Sequence, residues 1–547
     1  HDLLMNPKSH PLSSFLTSVG FMFYLGLSPA SAIVNLSQTV LVALPLMGAK
    51  WKFKDASTAL LKASNDFRQG IERHDSWNPV KWEQNLGKML NEDELAAYKL
   101  AVERGVIDVT QAHDLAGIAQ GEDSKVMWHL RPAMRLASGM FHQAERFNRE
   151  VTFIASYRLA RKAGASPDVA YEQAADMTYK GHFDYSSGNR PRVMQGDVAK
   201  VVLLFKQYAQ NMLYTLLRNA HQSIHALEPK ERGEAQRALA GILGFHALAA
   251  GVMGLPITGM LAAASFLIAK KSKLGSAAFA LAAVAALASG GDDDDPYELE
   301  VVIRNWLADT FGDGTANAIF GGLPRAISPV DLSGRVGLNN LILPDSQDGA
   351  EGADWYNAYA TALLGPVAGI GGSMAKGAQL INEGHYARGI ETMLPTVLKN
   401  AMKSYRYWDE GVLTKSNDVI QADVSGAGIA AQAIGFSPAT VRNSMEGRSA
   451  IYSYKDKLNN HRRDLMHKWV RAREEDNSDG MNDAWAEILE FNEKVSEKNP
   501  KMRINRINLM QSYKATKRMD KNTGDGGVYL GNREKGAETQ GRFAFGE

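Results

Sequence analysis

The segment GDVAKVVLLFKQYAQNMLYTLLRNAHQSIHAL, residues 196–227, decides the fold class. Its apolar side chains recur every three or four positions, whereas Lys200, Lys206, Gln210 and Arg218 lie off that line. This spacing places an apolar stripe along one side of a helix, since a helix has about 3.6 residues per turn. The pattern predicts one amphipathic helix through the segment. The stripe consists of Val198, Val202, Phe205, Ala209, Met212 and Leu216.

Helix start and stop signals recur on the N-terminal side of this segment. Ser166 and Pro167 form an N-cap and a first-turn proline, and Asp168 follows at the positive end of the helix dipole. Gly105 ends the helical pattern that begins at Asn91. No sustained period-two alternation is bounded by hairpin turns, so strands should be few. The sequence therefore predicts an all-α protein, an elongated or multi-bundle assembly of many helices with Ala- and Gly-rich apolar members.

Composition narrows the function classes. The 547 residues include no cysteine, which excludes disulfide bonds, thiolate metal sites and a cysteine nucleophile. The formal net charge of +1 does not by itself identify an acidic or a basic partner. The chain opens HDLLMNPKSH, without an initiator methionine, so we expect a piece of a longer protein.

Two uncharged regions are long enough to cross a bilayer. Residues 11–49 contain no Lys, Arg, Asp or Glu, and neither do residues 238–269. A helix needs roughly 20 residues to cross a ~30 Å hydrocarbon core. The second region continues through the cationic residues 270–273 into another apolar stretch, and the whole of 238–291 predicts a helical hairpin with a kink at Pro256.

Three interpretations of these regions stay open: helices buried in an assembly, helices that insert into a membrane conditionally, and constitutive transmembrane helices. The mean hydropathy of −0.25 disfavours the last. A signal peptide from Met5 to the ASA of residues 30–32 is a further alternative, although an equally apolar segment follows it. The candidate membrane-contacting residues are Leu239, Ile242, Leu243, Phe245, Met253, Pro256, Leu261, Phe266, Leu267 and Phe279.

The stretch GGLPRAISPVDLSGRVGLNNLILP, residues 321–344, has too many glycines and prolines for an interior helix. Asp331 can cap a backbone turn, and Arg325 and Arg335 can pair with carboxylates or carbonyls. We expect a rigid clip loop between two helical regions, or else the subunit contact of a ring. Its candidate residues are Gly321, Gly322, Pro324, Arg325, Asp331, Arg335 and Gly337.

A cationic segment lies near the C-terminal end. Residues 501–518 include six Lys or Arg and no acid. Such a helix or arm can contact phosphates, acidic lipid or an acidic protein face, and a plain solvated helix is an equal alternative. The candidate DNA- or partner-binding residues are Lys501, Arg503, Arg506, Lys514, Lys517 and Arg518.

Motifs for catalysis and metal binding are weak. There is no His-Glu-x-x-His helix and no Gly-x-Ser-x-Gly elbow. Gly-Ile-Gly-Gly at 369–372 lacks the preceding strand and the following Gly-Lys-Ser/Thr of a phosphate loop. Asp292–Asp295 lack the spaced ligands of a calcium loop, and His142 and His182 fit helix-packing hydrogen bonds better than catalysis. We therefore expect no catalytic, metal-ligating or cofactor-binding residue in this chain, although a longer native chain can carry a catalytic domain elsewhere.

Shifts in composition divide the chain into regions of different character. The regions are an apolar N-terminal segment (1–60), an amphipathic helical domain (61–235), an apolar hairpin that is a candidate for membrane activity (236–291), an acidic boundary with the clip loop (292–350), a second helical domain (351–450), charged and basic helices (451–520) and a flexible tail (521–547).

Several sequence blocks in a fixed order carry a family resemblance over roughly residues 15–450. The blocks are YLGLSPASAIVNLSQTVLVALPLMGA (24–49), RFNREVTFIASYRLAR (146–161), HFDYSSGNRPRVMQGDVAKVVLLFKQYAQNMLY (182–214), GLPRAISPVDLSGRVGL (322–338), LLGPVAG (363–369), EGHYARGIETMLPTVLKNAMKSYRY (383–407) and GFSPATVRN (435–443). With these blocks the chain resembles the C-terminal region of very large bacteriophage proteins of the large polyvalent protein-associated or PLxRFG type, which in short-tailed phages look like internal virion, or DNA-ejection, proteins. The PLxRFG string itself is absent.

The resemblance implies a function in the virion. Such proteins pack as a core above the portal, leave ahead of the genome and help to form a conduit across the host envelope. The implied partners are further copies of the chain in a ring, other internal virion proteins, the portal, packaged DNA and, after ejection, the host inner membrane. Two alternatives stay open: an accessory assembly region of a larger virion enzyme, such as a cell-wall hydrolase or a polymerase, and a constitutive membrane channel.

Overall fold

The structure, a computed structural model, describes residues 11–73, 87–107, 125–183, 196–255, 308–309, 312–339, 341, 365–414, 418–495 and 500–522. This described chain is 82% helical, with 20 α-helices and a few short strands. The all-α prediction is confirmed. The chain divides into two compact units, residues 1–445 and 446–547. The finer division of residues 1–547 made from composition stays a prediction.

The strands of the described residues form two short antiparallel pairs. Strand β1 (Val330–Asp331) pairs with β4 (Ser437–Pro438), and β2 (Val412–Leu413) pairs with β3 (Val419–Gln421). The first unit begins with α1 (Pro11–Tyr24), α2 (Pro29–Gln38), α3 (Leu44–Trp51), α4 (Phe53–Arg73), α5 (Glu92–Glu103), α6 (Lys125–Lys162), α7 (Pro167–His182), α8 (Asp197–Val202), α9 (Lys206–His225) and α10 (Pro229–Ala250). It continues with α11 (Asp313–Gly321), α12 (Leu323–Ile327), α13 (Ser333–Val336), α14 (Pro366–Asn382), α15 (Tyr386–Met393), α16 (Thr396–Asp409) and α17 (Gly426–Ile434), and α18 (Ala439–Glu474) leads into the second unit.

Helix α6 runs through the main core of the first unit. Helices α2, α4 and α7 pack against it, and its Val151, Phe153 and Ile154 are fully buried. Each such side chain contributes roughly 1.5–3 kcal/mol through the area it removes from water. The ends of the neighbouring helices agree with the sequence signals. Ser166 caps α7 by accepting from the Val169 amide, and the turn after α5 contains Gly105 at φ 72°.

Residues Pro29–Trp51 form one uninterrupted helical stretch made of α2, a π-helical turn at Thr39–Ala43, and α3. Among the described residues this 23-residue stretch is the one helix long and apolar enough to cross a membrane, and half of its most apolar window is buried in the first unit. Val42 and Met47 are fully buried in the core, whereas Val40 is half exposed. The stretch therefore serves as a core helix in this structure.

The single helix predicted for residues 196–227 is wrong in its middle. Helix α8 ends at Val202 and α9 begins at Lys206, with Phe205 between them at φ 69°. The break lets Leu204 pack against Phe21 of α1, with Phe205 beside them. Tertiary packing has overridden local periodicity here. Of the predicted stripe, Met212 and Leu216 on α9 are buried, but Val198 on α8 is exposed.

The second uncharged region starts within a longer helix. Helix α10 begins at Pro229, well before the uncharged region starts at residue 238. It ends at Ala250, because the next residue, Gly251, has a φ of 76° that cannot continue a helix. The predicted boundary between residues 235 and 236 falls inside α10. The predicted kink at Pro256 and the rest of the hairpin lie outside the described residues.

The second unit is a small bundle formed by the later part of α18, α19 (Ser478–Val495) and α20 (Arg506–Asn522). Asn492 on α19 bonds both backbone groups of Ile504: its Nδ2 donates to the carbonyl (2.8 Å) and its Oδ1 accepts from the amide (2.7 Å). These two hydrogen bonds hold the connection to α20 in place. The core of the unit consists of Leu465, Ile488, Phe491, Val495, Ile504 and Leu509.

Candidate functional site

The predicted clip is not a plain loop. Residues 321–338 contain the end of α11, the short helices α12 and α13, and strand β1 between them. Gly321 is the last residue of α11, Pro324 lies in the first turn of α12, and Gly337 follows α13. Proline is compatible with a first turn because its missing amide has no partner there in any case. The glycines and Pro324 therefore separate short elements rather than prevent helix formation.

Arg325 connects the clip with the start of α18. Its side chain is buried, with 6% of the residue exposed, and Nε donates a 2.7 Å hydrogen bond to Oδ1 of Asn443. A buried guanidinium needs such partners because removing a charge from water is costly.

Arg335 makes a second connection to the same part of the chain. It lies at the surface on α13, and its Nη2 donates to the carbonyl of Gly435 over 2.9 Å. Both clip arginines therefore bond within one chain, as an internal clip requires. The clip and the subunit contact both stay predictions.

Asp331 organises the turn between these arginines. Its Oδ1 accepts from the amide (3.1 Å) and from the hydroxyl (2.7 Å) of Ser333, which caps the backbone turn as expected from the sequence. Oδ2 lies 3.9 Å from Nε of Arg442. Asp331 is buried and stands opposite Ser437 in the β1–β4 pair. Asp331 thus joins the turn to strand β4, which precedes α18.

Two glycines let the clip cross the end of α10 backbone to backbone. A Cβ on Gly322 would lie 2.4 Å from the carbonyl oxygen of Ala249, and one on Gly251 would lie 2.0 Å from that of Phe320. Both glycines have positive φ, 87° and 76°. No other residue type fits these two positions without moving the backbone.

A buried polar layer on α6 lies in the block RFNREVTFIASYRLAR and was not singled out from sequence. Arg149 donates from Nη2 to the Phe183 carbonyl (2.7 Å) and from Nη1 to the Val106 carbonyl (3.2 Å). Asn148 donates to the Asn35 carbonyl (2.7 Å). The available signal was the three consecutive polar residues 148–150, which directly precede the apolar, buried Val151 of α6. The layer joins α6 to α2, to the turn after α5 and to the end of α7.

His182 ends α7 within this layer. Its Nε2 lies 2.7 Å from Oγ1 of Thr152, and both residues are buried. Burial, together with the positive charge of Arg149, lowers the pKa of His182 to about 3. The ring is therefore neutral at physiological pH and makes the helix-packing hydrogen bond expected of it. His142 is half-buried on α6.

The candidate membrane-contacting residues of α10 belong to the core of the first unit. Ile242 and Leu243 are buried, and Leu239 and Phe245 pack against the same core. Met253 lies in the 3₁₀ turn after α10. The remaining candidates lie outside the described residues; they are Pro256, Leu261, Phe266, Leu267 and Phe279.

All six candidate DNA- or partner-binding cations are exposed in the second unit. Lys501 and Arg503 precede α20, and the other four lie on it. The guanidinium of Arg506 lies 5.7 Å from the centre of the Trp485 ring, and Nζ of Lys517 lies 5.0 Å from that of Tyr513. The remaining two of the six candidate residues, Lys514 and Arg518, also lie on α20.

Two helices of the first unit expose apolar faces. On α9, Tyr214, Leu217 and Ile224 are each more than 60% exposed. On α16, Tyr405 and Trp408 are likewise exposed, with ring centres 5.7 Å apart. Their spacings of three and seven residues place each set on one side of its helix. Groups of exposed apolar side chains on one side of a helix are candidates for surfaces that bind another protein or a membrane.

The described residues contain no group of three His, Asp or Glu close enough to hold a metal ion. Asp292–Asp295 lie outside the described residues. Gly-Ile-Gly-Gly at 369–372 lies inside helix α14, so it does not form a phosphate loop.

Comparisons with protein-family models, with curated proteins and with solved structures find no match to this chain.

Proposed function

We propose that this chain is the assembly region of a phage internal virion protein, which packs above the portal, leaves the capsid ahead of the DNA and helps to form a conduit across the host envelope. The observation that carries this proposal is the pair of uncovered apolar faces on α9 and α16. Such faces favour association with other proteins or with a membrane. The ordered blocks of sequence resemblance supply the phage context.

The composition suits passage through a narrow channel. The chain has no cysteine, so no disulfide bond holds it folded. Short helices gain most of their stability from tertiary packing. In this chain, α12, α13 and α15 have eight residues or fewer. A chain of this kind unfolds and refolds more readily than a cross-linked one.

The membrane stage of the proposal assigns insertion to residues 238–291. The described part of this region is packed, because Ile242 and Leu243 lie in the core of the first unit. Insertion therefore requires that this core opens first. The apolar stretch Pro29–Trp51 packs in the same core and becomes available in the same step. Deleting residues 256–291 leaves α10 in the core, and this deletion should weaken binding to liposomes of anionic lipid; unchanged binding would contradict the assignment.

Location in the particle tests the proposal as a whole. Denaturing mass spectrometry of purified virions, together with imaging of the core near the portal, should find this sequence within a ring above the portal. A native chain much longer than 547 residues would direct the search for an enzyme domain to the remaining part. Recovery from host membranes alone would favour a channel instead.

A further inference from the structure

The outward face of α20 carries cations that are not neutralised within the described chain. Lys514 and Arg518 are exposed and lie four residues apart, so they occupy the same side of the helix. Neither forms an ion pair with another described residue. The opposite side of α20 is already used, because Leu509 is buried in the core of the second unit. The cationic face is therefore free to bind a partner.

A matching acidic face lies on α19 of the same unit. Asp479 and Asp483 are exposed, lie four residues apart and form no ion pair with another described residue. Glu487 continues this line and bonds to Lys468 of α18. The other side of α19 is packed, since Ala484 and Ile488 are fully buried. A surface cleft of about 440 Å³ adjoins this face, where Asp483 and Glu487 stand opposite Lys468 and Arg471 of α18; the unpaired part of the acidic face is therefore Asp479 and Asp483.

The two faces carry opposite charges at the same spacing. Each presents a pair of like charges four residues apart, or roughly 6 Å along the helix axis. Like charges at this spacing destabilise the helix that carries them unless counter-charges are close. We propose that the partner is a second copy of this chain, in which the cationic face of α20 binds the acidic face of α19 of its neighbour.

A nucleic acid and a membrane explain less of the structure. A lipid surface needs a continuous apolar face on the binding helix. On α20, Leu509 lies in the core, and the exposed Ile507 and Met519 lie twelve residues apart with the cations between them. The phosphates of a nucleic acid would bind α20, but they would leave the acidic face of α19 without a role. A head-to-tail contact of this kind closes into a ring when the rotation between copies permits. The interface would serve the ring of the proposed function, although its test measures only the association of the chain with itself.

Charge reversal with rescue tests the proposal on the 547-residue chain. The first variant is Lys514→Glu with Arg518→Glu, and the second is Asp479→Lys with Asp483→Lys. Each alone should weaken self-association by about tenfold or more in analytical ultracentrifugation, because like charges then meet at the interface. A mixture of the two variants should restore association, because the reversed α20 of one fits the reversed α19 of the other. Wild-type association should weaken in about 1 M salt, which screens such pairs.

The control for the first variant is Lys54→Glu with Lys62→Glu, which makes the same change in net charge on the exposed side of α4. It should associate as the wild type does. Thermal unfolding of every variant shows whether the monomer is intact. A monomeric wild type, wild-type association by both single-face variants, or a mixture that fails to associate would each overturn the proposal. Loss of duplex DNA binding in the first variant with unchanged self-association would also overturn it and assign α20 to nucleic acid. None of these results bears on whether the chain is found in virions.

Discussion

Nε of Arg325 donates a 2.7 Å hydrogen bond to Oδ1 of Asn443, which lies 118 residues further along the chain. The bond joins α12 to the first turns of α18, and both residues lie in blocks that carry the family resemblance. Close by, Ala439 donates from its amide to the carbonyl of Pro329. Side chain and backbone together therefore hold the clip against the start of α18.

Breaking this bond should destabilise the first unit. We expect Arg325→Ala to lower the free energy of unfolding by about 2–3 kcal/mol, because it leaves buried polar groups with fewer partners. A double-mutant cycle with Asn443→Ala should show a coupling of about 1 kcal/mol in urea unfolding. Arg335→Ala, which removes one bond at the surface, should cost about 1 kcal/mol. A coupling near zero between Arg325 and Asn443 would contradict the geometry.

The crossing at Gly322 should not tolerate a side chain. Gly322→Ala places a Cβ against the carbonyl oxygen of Ala249 at a φ of 87°, so we expect a loss of about 3 kcal/mol or more. The matched control is Gly314→Ala in α11, where the new methyl group meets no atom within 4 Å. Alanine is the better helix former there, which adds up to about 1 kcal/mol. Equal thermal stability of the two variants would show that the backbones do not cross closely.

Arg149 should be the most sensitive residue of the buried polar layer. We expect Arg149→Met to cost about 3–5 kcal/mol, since the buried Glu145 on the preceding turn loses its cation and two backbone carbonyls lose their donor. Arg161→Met, whose guanidinium is partly exposed near Asp93, should cost about 1 kcal/mol or less. Chemical unfolding of both variants gives the comparison. A loss at Arg149 no greater than at Arg161 would mean that the layer contributes little to stability.

Stability should fall in mild acid because of buried histidines. His246 on α10 is fully buried, its Nδ1 lies 2.8 Å from the Ile242 carbonyl, and burial lowers its pKa to about 4. An unfolded chain titrates near 6.5 and therefore binds more protons than the folded chain between these two values. Stability from His246 is then complete above about pH 6.5 and is lost as the pH falls, by about 2 kcal/mol at pH 5.

The variant His246→Met removes this titration with a similar side-chain volume. Its loss of unfolding free energy between pH 7 and pH 5 should be smaller than that of the wild type by about 2 kcal/mol. Urea unfolding at the two pH values measures the difference. An identical loss in both proteins would mean that His246 is accessible to protons in the folded state.

Local signals predicted the helices well because their causes lie in neighbouring residues. The cap at Ser166 and the stop at Gly105 depend on the backbone within one turn, and the structure has both. The break at Leu203–Phe205 could not be predicted, because it depends on Phe21 of α1, which is distant in the sequence. Periodicity alone therefore joined two helices into one.

In the candidate sites, too, local contacts could be predicted from the sequence and long-range contacts could not. Asp331 and Ser333 form the turn that their sequence proximity suggests. The partners of Arg325 and Arg335 lie about 100 residues or more away and could not be identified from spacing. The polar layer at Arg149 went unnoticed because a charged residue in a long helix ordinarily faces water. Only the packing of α2 and α7 around α6 shows that it is buried.

We propose that this chain assembles inside a virion. Chemical cross-linking of intact virions, followed by mass spectrometry of the cross-linked peptides, tests this assembly. We expect cross-links from this chain to the portal or to other internal proteins, and links between copies of the chain. Peptides of this chain that are absent from purified virions, or that cross-link only to host membrane proteins in infected cells, would contradict it.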